Sequence, residues 1–217
     1  MKFSSAMSAG LLVAGTAFAS PTPSPASTQK TAAQQILEIA PGSASCASTD
    51  ECRTNVQVAP LLIDAFNKTG LYHLGQFAAV LALTAFESGD YKYKRNLQHN
   101  DPGQKAHWGQ GTSNLQTLTY NVKFANSFPE LKDKVTAIGS TDTMAGANKL
   151  LDLLVDDQYN FQSGPWFMKT QCPDAMKALE TPSDAAWTTY MTCVLGSGDV
   201  PQARTDYWTA AKKSFNL

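Results

Sequence analysis

Apolar residues recur at spacings of three and four through most of this chain, and this recurrence is its strongest constraint on folding. Val58, Leu61 and Ala65 fall on one helical face, and Gly70 follows them as a helix stop signal. No alternation of strands and helices of the parallel-sheet kind is present. We therefore predict a mainly α domain with a long central loop over residues 91–126 and at most a small β element.

Several local signals predict where these helices begin and end. The capping-box spacing of residues 48–51 predicts a helix start there, and Pro60 is expected to bend or split that helix. Ser183 and Pro201 each predict the start of a later helix. The alternation in "NLQTLTYNV", residues 114–122, is compatible with a short strand.

Length and charge limit the function classes. The chain has 217 residues, a hydrophobic fraction of 43%, a charged fraction of 16% and a formal net charge of −1. One core is the default for this length, and near-neutral charge argues against nucleic-acid binding. After residue 19, no apolar run approaches the ~20 residues that a membrane-spanning helix needs. We expect no membrane partner and a monomer.

The first thirty residues differ from the rest. Residues 1–19 combine Lys2, an apolar stretch and an Ala-Phe-Ala sequence, which is typical of a secretory signal peptide. Residues 20–30 are rich in Ser, Pro and Thr and predict a spacer or pro-segment. The catalytic domain is therefore predicted over residues 31–217, and the protein is predicted to be secreted.

Secretion favours disulfides for the four cysteines, Cys46, Cys52, Cys172 and Cys193. Three full pairings are possible, and we favour Cys46–Cys52 with Cys172–Cys193 because each closes a modest loop between adjacent segments. Asn67 begins an Asn-Lys-Thr sequence and is a candidate glycosylation site.

The stretch "ALTAFESGDYKYKRN" places one carboxylate, Glu87, at the end of an apolar run. Val80, Thr84 and Glu87 follow helical spacing, so we expect Glu87 to continue an inward-facing stripe that ends at Gly89. Burial and the negative end of the helix dipole would both raise its pKa. A carboxylic acid that stays protonated near neutral pH can donate a proton to a leaving oxygen. The alternative is an ordinary exposed glutamate in a frayed last turn.

Polar and aromatic residues near Glu87 could form a sugar-binding groove. Tyr91 and Tyr93 could stack on sugar rings, while Asn114 and Gln116 offer amides that pair with sugar hydroxyl groups. The alternative is that the aromatic residues fill the core beneath a long loop. Asp90 and Asp101 are both candidates for a second carboxylate.

Three short motifs resemble those of lysozyme-like folds, in the order found there: "FESGD" (86–90), "GQGTSNLQ" (109–116) and "DQYNFQSGPW" (157–166). The pattern is similar to goose-type lysozymes and lytic transglycosylases, and most similar to the catalytic domains of secreted fungal muramidases. The resemblance extends from about residue 44 to the C-terminus. It implies a lysozyme-like fold with Glu87 as the acid, Gln116 lining the sugar cleft and Tyr159 near the acid.

The chain also departs from that pattern. Ser113 stands where the related turn has glycine, and Leu118 stands where some members have a second acid. Resemblance to the fungal group favours Asp90 as the second carboxylate.

These observations lead to a specific expectation: a glycosidase that cleaves β-1,4 bonds of bacterial peptidoglycan. Glu87 would protonate the glycosidic oxygen, and Asp90 would orient water or stabilise the developing cation. The residues expected to position the cell-wall glycan are Tyr91, Tyr93, Asn114, Gln116 and Tyr159. Alternatives are the same fold acting on chitin, chitosan or mannan, a lytic transglycosylase, and a non-catalytic glycan-binding protein or effector.

Acid–base chemistry on an acetal needs no cofactor, so none is expected. His99, Asp101 and His107 match no known metal-ligand spacing, and we expect no metal site. A Gly-x-Ser-x-Gly motif is absent from the sequence, which argues against a serine hydrolase of that type.

Overall fold

The computed structural model describes residues 30–48 and 50–217, so the predicted signal peptide and most of the predicted spacer lie outside the described residues. Within these ranges the chain is mainly α-helical, which confirms the predicted fold class. The helices are α1 (Ala32–Ile39), α2 (Asn55–Thr69), α3 (Leu74–Glu87), α4 (Leu118–Asn126), α5 (Lys132–Ile138), α6 (Met144–Leu154), α7 (Asp157–Asn160), α8 (Ser163–Gln171), α9 (Pro173–Ala178), α10 (Asp184–Leu195) and α11 (Gln202–Phe215).

Helix α3 is the centre of the larger hydrophobic core. Nearly every residue from Gly75 to Ala85 is buried, so the helix is covered on all sides and not on a single stripe. A helix that is apolar all round is typical of a core position. Helices α1, α8 and α11 pack against it, and α11 forms its longest interface. The two ends of α3 reach the surface: Leu74 at the N-terminal end is 52% exposed, and Glu87 at the C-terminal end is partly exposed.

Local signals explain most helix ends. Ser183 accepts a hydrogen bond from the Ala186 amide at the start of α10, and Pro201 immediately precedes α11, as predicted. Gly70 follows α2 with a φ of 75°, in the left-handed region that favours glycine. The stop at Gly89 is also confirmed, since that residue follows the α3 cap with a φ of 57°.

The structure differs from three local expectations. Helix α2 begins at Asn55, because Thr54 and Gln57 form the capping box. Pro60 does not split α2, which continues to Thr69. The alternating segment that was compatible with a short strand instead leads into α4 at Leu118, because Phe124 and Ala125 bury its face against a smaller core with Leu150 and Leu154.

The described β structure is limited to two isolated bridges, Arg95 with Gly111 and Gly111 with Gln116. Two disulfides join Cys46 to Cys52 and Cys172 to Cys193, which confirms the predicted pairing. Among the described residues, none of the helices combines the length and apolar character needed to cross a membrane.

Candidate functional site

Glu87 is the last residue of α3, and its side chain is only 10% exposed. Its Oε1 accepts two hydrogen bonds from Arg204, one from Nη2 at 2.6 Å and one from Nε at 3.2 Å. Arg204 lies on α11, and its guanidinium carbon sits 4.5 Å from the centre of the Phe86 ring. The long α3–α11 interface therefore places a cation directly on the candidate acid.

Burial raises the pKa of Glu87 above its ordinary value, and the charge and hydrogen bonds of Arg204 oppose that rise. The net direction is upward, so the carboxyl group retains its proton at higher pH than an exposed glutamate does. Oε2 receives no hydrogen bond from any described residue. One oxygen of Glu87 is thus fixed by Arg204, and the other has no hydrogen-bond partner among the described residues.

Asp90 has a different environment. Its Oδ1 accepts a hydrogen bond from the Tyr207 hydroxyl at 2.6 Å, and its Oδ2 accepts one from the Gly42 amide at 2.7 Å. A side chain at position 42 would collide with Asp90, since an added Cβ would lie 2.7 Å from Oδ2. Both oxygens of Asp90 therefore join the turn after α3 to neighbouring segments. Burial and Asp90 together raise the pKa of Tyr207.

Glu87 borders a groove made of two adjoining hollows, which we call the Glu87 groove. The hollow next to the acid, of about 430 Å³, is lined by Glu87, Tyr93, Arg95, Asn96, Leu97, Gln98 and Leu115. The second hollow, of about 660 Å³, is lined by Ser45, Ala47, Ser48, Glu51, Cys52, Lys92, Tyr93, Arg95, Asn96, Leu97 and His99. Four residues are shared, so the two hollows form one depression that runs from Glu87 towards the Cys46–Cys52 disulfide.

Of the residues predicted to position a ligand, Tyr93 lines this groove and is 44% exposed. Tyr91 does not, because it is buried with its hydroxyl 3.2 Å from that of Thr84. Tyr159 is also buried, and its hydroxyl donates to Glu130 at 3.3 Å. The structure thus brings Glu87 and Tyr93 together, but places the other two tyrosines in the interior.

The two predicted amides also lie beneath the surface. Gln116 donates from Nε2 to Oδ1 of Asn121 at 2.9 Å, and Asn121 in turn donates to the backbone oxygens of Gly109 and Gln116. Asn114 approaches Gln116 at 3.4 Å, and its own Oδ1 is buried without a partner among the described residues. These amides form an internal network and do not line the Glu87 groove.

The glycines of the 109–116 segment serve packing within the protein. A Cβ at Gly109 would lie 2.9 Å from the Ala147 carbonyl oxygen, and one at Gly111 would lie 2.6 Å from the Lys94 carbonyl oxygen. Both positions therefore require glycine because neighbouring backbone approaches closely, independent of any ligand.

Most of the described non-glycine residues with positive φ lie in the two segments that adjoin the groove. Among the described residues, five non-glycine residues have positive φ, and four of them are Asp90, Tyr91, Thr112 and Leu115. Such conformations cost about 1–3 kcal/mol each and cluster at functional sites. Asp90 and Tyr91 lie in the turn after α3, and Thr112 and Leu115 lie in the 109–116 segment.

Sequence reasoning missed Arg204 and Tyr207, which lie 117 residues from Glu87 and Asp90 respectively. One signal was available: the sequence holds only three arginines, Arg53, Arg95 and Arg204. Each arginine pairs with a carboxylate in the structure, because a partly buried carboxylate needs a cationic partner. On α11, Trp208 follows Arg204 by four residues and Tyr207 by one, and Trp208 is buried. Arg204 and Tyr207 therefore lie beside a buried residue.

No described cluster of three or more His, Cys, Asp and Glu side chains could hold a metal ion. His99 Nδ1 lies 2.6 Å from the Asn96 carbonyl oxygen, and His107 Nδ1 lies 2.7 Å from Oε1 of Gln110. Each histidine therefore contacts an uncharged oxygen atom, a backbone carbonyl for His99 and a side-chain amide for His107.

Comparison with known proteins gives one informative similarity. A bifunctional dioxygenase–epoxy alcohol synthase from Fusarium oxysporum (strain Fo5176) is 42% identical over 164 residues, which is 74% of this chain. The chain spans only 12% of that relative's length. No family model matches the chain, and no solved structure matches it significantly.

This comparison overturns the lysozyme-like resemblance. The relative is named as a dioxygenase and synthase, and not as a glycosidase. The prediction of peptidoglycan hydrolysis was therefore wrong, and so was the bacterial cell-wall glycan as its partner. The motifs that suggested both are short, and in the structure Gly109, Gly111 and Gln116 serve internal packing and hydrogen bonding.

Proposed function

We propose that this chain is an enzyme domain in which Glu87 protonates an oxygen atom of an oxygenated organic substrate held in the Glu87 groove. The observation that carries this proposal is the environment of Glu87 at the groove: burial raises its pKa, Arg204 fixes Oε1, and Oε2 accepts no hydrogen bond from a described residue. A carboxyl group with a raised pKa beside a groove is suited to general acid catalysis.

The relative's name suggests the substrate class. That protein is named for dioxygenase and epoxy alcohol synthase activities. An epoxy alcohol is an isomer of an unsaturated hydroperoxide, and forming one from the other requires cleavage of the O–O bond. Protonation makes the departing oxygen a better leaving group, which is the task that Glu87 would perform.

The proposed reaction balances without an external oxidant or reductant. Glu87 gives its proton to the terminal peroxide oxygen, the O–O bond breaks with its electron pair, and that oxygen leaves as water. The π electrons of the neighbouring double bond form a bond to the remaining oxygen, which closes an epoxide and leaves a carbocation. Water adds to the carbocation, and its proton returns to the Glu87 carboxylate. Arg204 stabilises that carboxylate between the two proton transfers.

The relative is also named as a dioxygenase, and we do not propose that activity for this chain. Among the described residues, no cluster of three or more His, Cys, Asp and Glu side chains could hold a metal ion. The proposed step uses Glu87 and water alone.

Conversion of the 13-hydroperoxide of linoleate tests this proposal. The purified full chain should produce an epoxy alcohol, and Glu87→Gln should lower kcat/KM by about 10²–10⁴-fold because the amide has no proton to donate in this way. Glu180→Gln is the matched control, since Glu180 is exposed and lines neither hollow of the groove. In water enriched in ¹⁸O, the product hydroxyl should carry the label.

Two outcomes would contradict the proposal. The first is an unmutated chain that folds but leaves the hydroperoxide unchanged. The second is equal conversion by the unmutated chain and by Glu87→Gln, since the acid would then be dispensable.

A further inference from the structure

A separate groove, which we call the Asn67 groove, lies where α1, α2, α3 and α11 meet and shares no lining residue with the Glu87 groove. Its volume is about 380 Å³. Two aliphatic side chains on its border, Ile63 and Leu74, are 50% and 52% exposed. Exposed apolar side chains that adjoin an apolar groove mark a surface that another group covers. The lining is apolar except for Lys30, Gln35 and Asn67.

Asn67 provides an attachment point at this groove. It is exposed in the last turn of α2, and its side chain forms no hydrogen bond with a described residue. It begins Asn-Lys-Thr, and no other Asn-x-Ser/Thr motif occurs in the sequence. The motif therefore stands at the border of the groove.

The neighbours of Asn67 are suited to hold a sugar. Ile63 lies one helical turn earlier, so it shares a face of α2 with Asn67. Phe77 is half-buried in the groove lining, and its ring centre lies 4.5 Å from that of Phe66. The apolar face of a sugar ring and the methyl group of an N-acetyl substituent can pack on such side chains. A sugar attached to Asn67 thus begins beside apolar surface.

We propose that Asn67 carries an N-linked glycan whose first N-acetylglucosamine packs into the Asn67 groove against Ile63 and Phe77. The donor is an oligosaccharide carried on a lipid diphosphate. Nδ2 of Asn67 bonds to the anomeric carbon of this sugar, the bond from that carbon to the diphosphate breaks, and the diphosphate leaves with the electron pair. A base of the transferase takes the proton that Nδ2 loses. Residues 1–19 predict the secretory route on which this donor is met.

The third residue of the motif determines when the transfer takes place. Thr69 is buried, and its Oγ1 donates a hydrogen bond to the Ala65 carbonyl oxygen at 2.7 Å. The motif requires a hydroxyl group at this position, so the transferase must meet it before the last turn of α2 closes. Folding then buries Thr69 and brings the attached sugar against the groove.

Mass spectrometry of the full chain secreted from a yeast host tests the attachment. Peptide-N-glycosidase in water enriched in ¹⁸O should convert Asn67 to labelled aspartate. Asn67→Gln should abolish the glycan, and Thr69→Ser should retain it because the hydroxyl group is kept. Secreted chain in which Asn67 is unmodified would overturn the proposal.

Binding of the apolar dye ANS tests the packing. The glycoprotein trimmed to one N-acetylglucosamine by endoglycosidase should bind little dye, and Asn67→Gln should raise dye fluorescence by about twofold or more as the groove opens. The matched control combines Asn67→Gln with Lys134→Asn, which moves the glycan to exposed α5 by forming Asn-Val-Thr with Val135 and Thr136. That variant should bind dye as Asn67→Gln alone does.

Two outcomes would overturn the packing. Equal fluorescence of the trimmed glycoprotein and the variant with the moved glycan would show that the sugar extends into solvent. Low fluorescence of Asn67→Gln with a dimeric mass would assign the groove to a second copy of the chain. Removal of the whole glycan from the folded protein should reproduce the rise seen for Asn67→Gln, and a rise in the variant alone would assign the effect to misfolding and contradict the proposal.

Discussion

The two segments that meet beside the candidate site use similar residues in opposite ways. Residues 88–97, which follow α3, direct Tyr93, Arg95 and Leu97 into the Glu87 groove. Residues 109–116 direct Asn114 and Gln116 into the interior, where they bind each other and Asn121. Both segments are polar, contain glycine and carry strained residues. The difference shows that residue type alone does not separate a ligand-binding loop from a loop that packs on a core.

Residues 109–116, whose amides are buried, give the largest expected change in stability. Gln116→Ala should lower the free energy of unfolding by about 2–3 kcal/mol, because it removes a buried side chain and leaves Asn121 with an unsatisfied acceptor. Urea denaturation measures this change. Gln98→Ala is the matched control, since Gln98 is exposed in the groove, and it should stay within about 0.5 kcal/mol. Equal losses for the two variants would remove the distinction between the segments.

The ion pair at the groove gives an intermediate effect that depends on pH. Arg204 lowers the pKa of Glu87 against a larger effect of burial, so Arg204→Gln should raise that pKa further. A group whose folded pKa is raised contributes stability that is present below its unfolded pKa and lost as pH rises through the folded pKa. The variant should therefore lose about 1–2 kcal/mol more at neutral pH than at pH 4, where Glu87 is mostly protonated.

Arg204→Lys is the control for this prediction, since it retains the positive charge and should show the smaller pH dependence of the unmutated chain. Denaturation curves at several pH values provide the measurement. A loss for Arg204→Gln that is the same at every pH would mean that the arginine only packs against Phe86.

Residues 88–97, which line the groove, give the smallest expected change in stability. Tyr93→Ala should leave the free energy of unfolding within about 0.5 kcal/mol, because the ring is 44% exposed and lines the groove. It should raise KM for the hydroperoxide by about threefold to tenfold with little change in kcat, as expected for a residue that only binds. Steady-state kinetics on the purified variant measure both constants. An unchanged KM would place the substrate elsewhere.

Much of the fold could be predicted from local signals. Ser183, Pro201 and Gly70 mark helix ends through hydrogen bonding and backbone geometry that depend on a few neighbouring residues. The two local disulfides followed from sequence proximity. The alternating pattern near Leu118 was compatible with a strand but forms a helix, because burial of Phe124 against another helix outweighs a short alternating pattern.

The candidate site was less predictable for a physical reason. The position of Glu87 follows from where α3 ends, which is local. Its partner Arg204 comes from a helix 117 residues away, and only packing of α11 on α3 brings the two together. An amide such as Gln116 has the same chemistry in a groove as in the interior, so its sequence context could not indicate which it occupies.

Titration of the Glu87 carboxyl carbon tests the central claim most directly. The full chain, labelled with ¹³C at glutamate side-chain carboxyl groups, would be followed by NMR across the acidic and neutral range, with Glu87→Gln identifying the signal. We predict a midpoint above the ordinary value of 4.5 and a further increase in Arg204→Gln. A midpoint at or below 4.5 would show that the ion pair outweighs burial, and would contradict Glu87 as a proton donor.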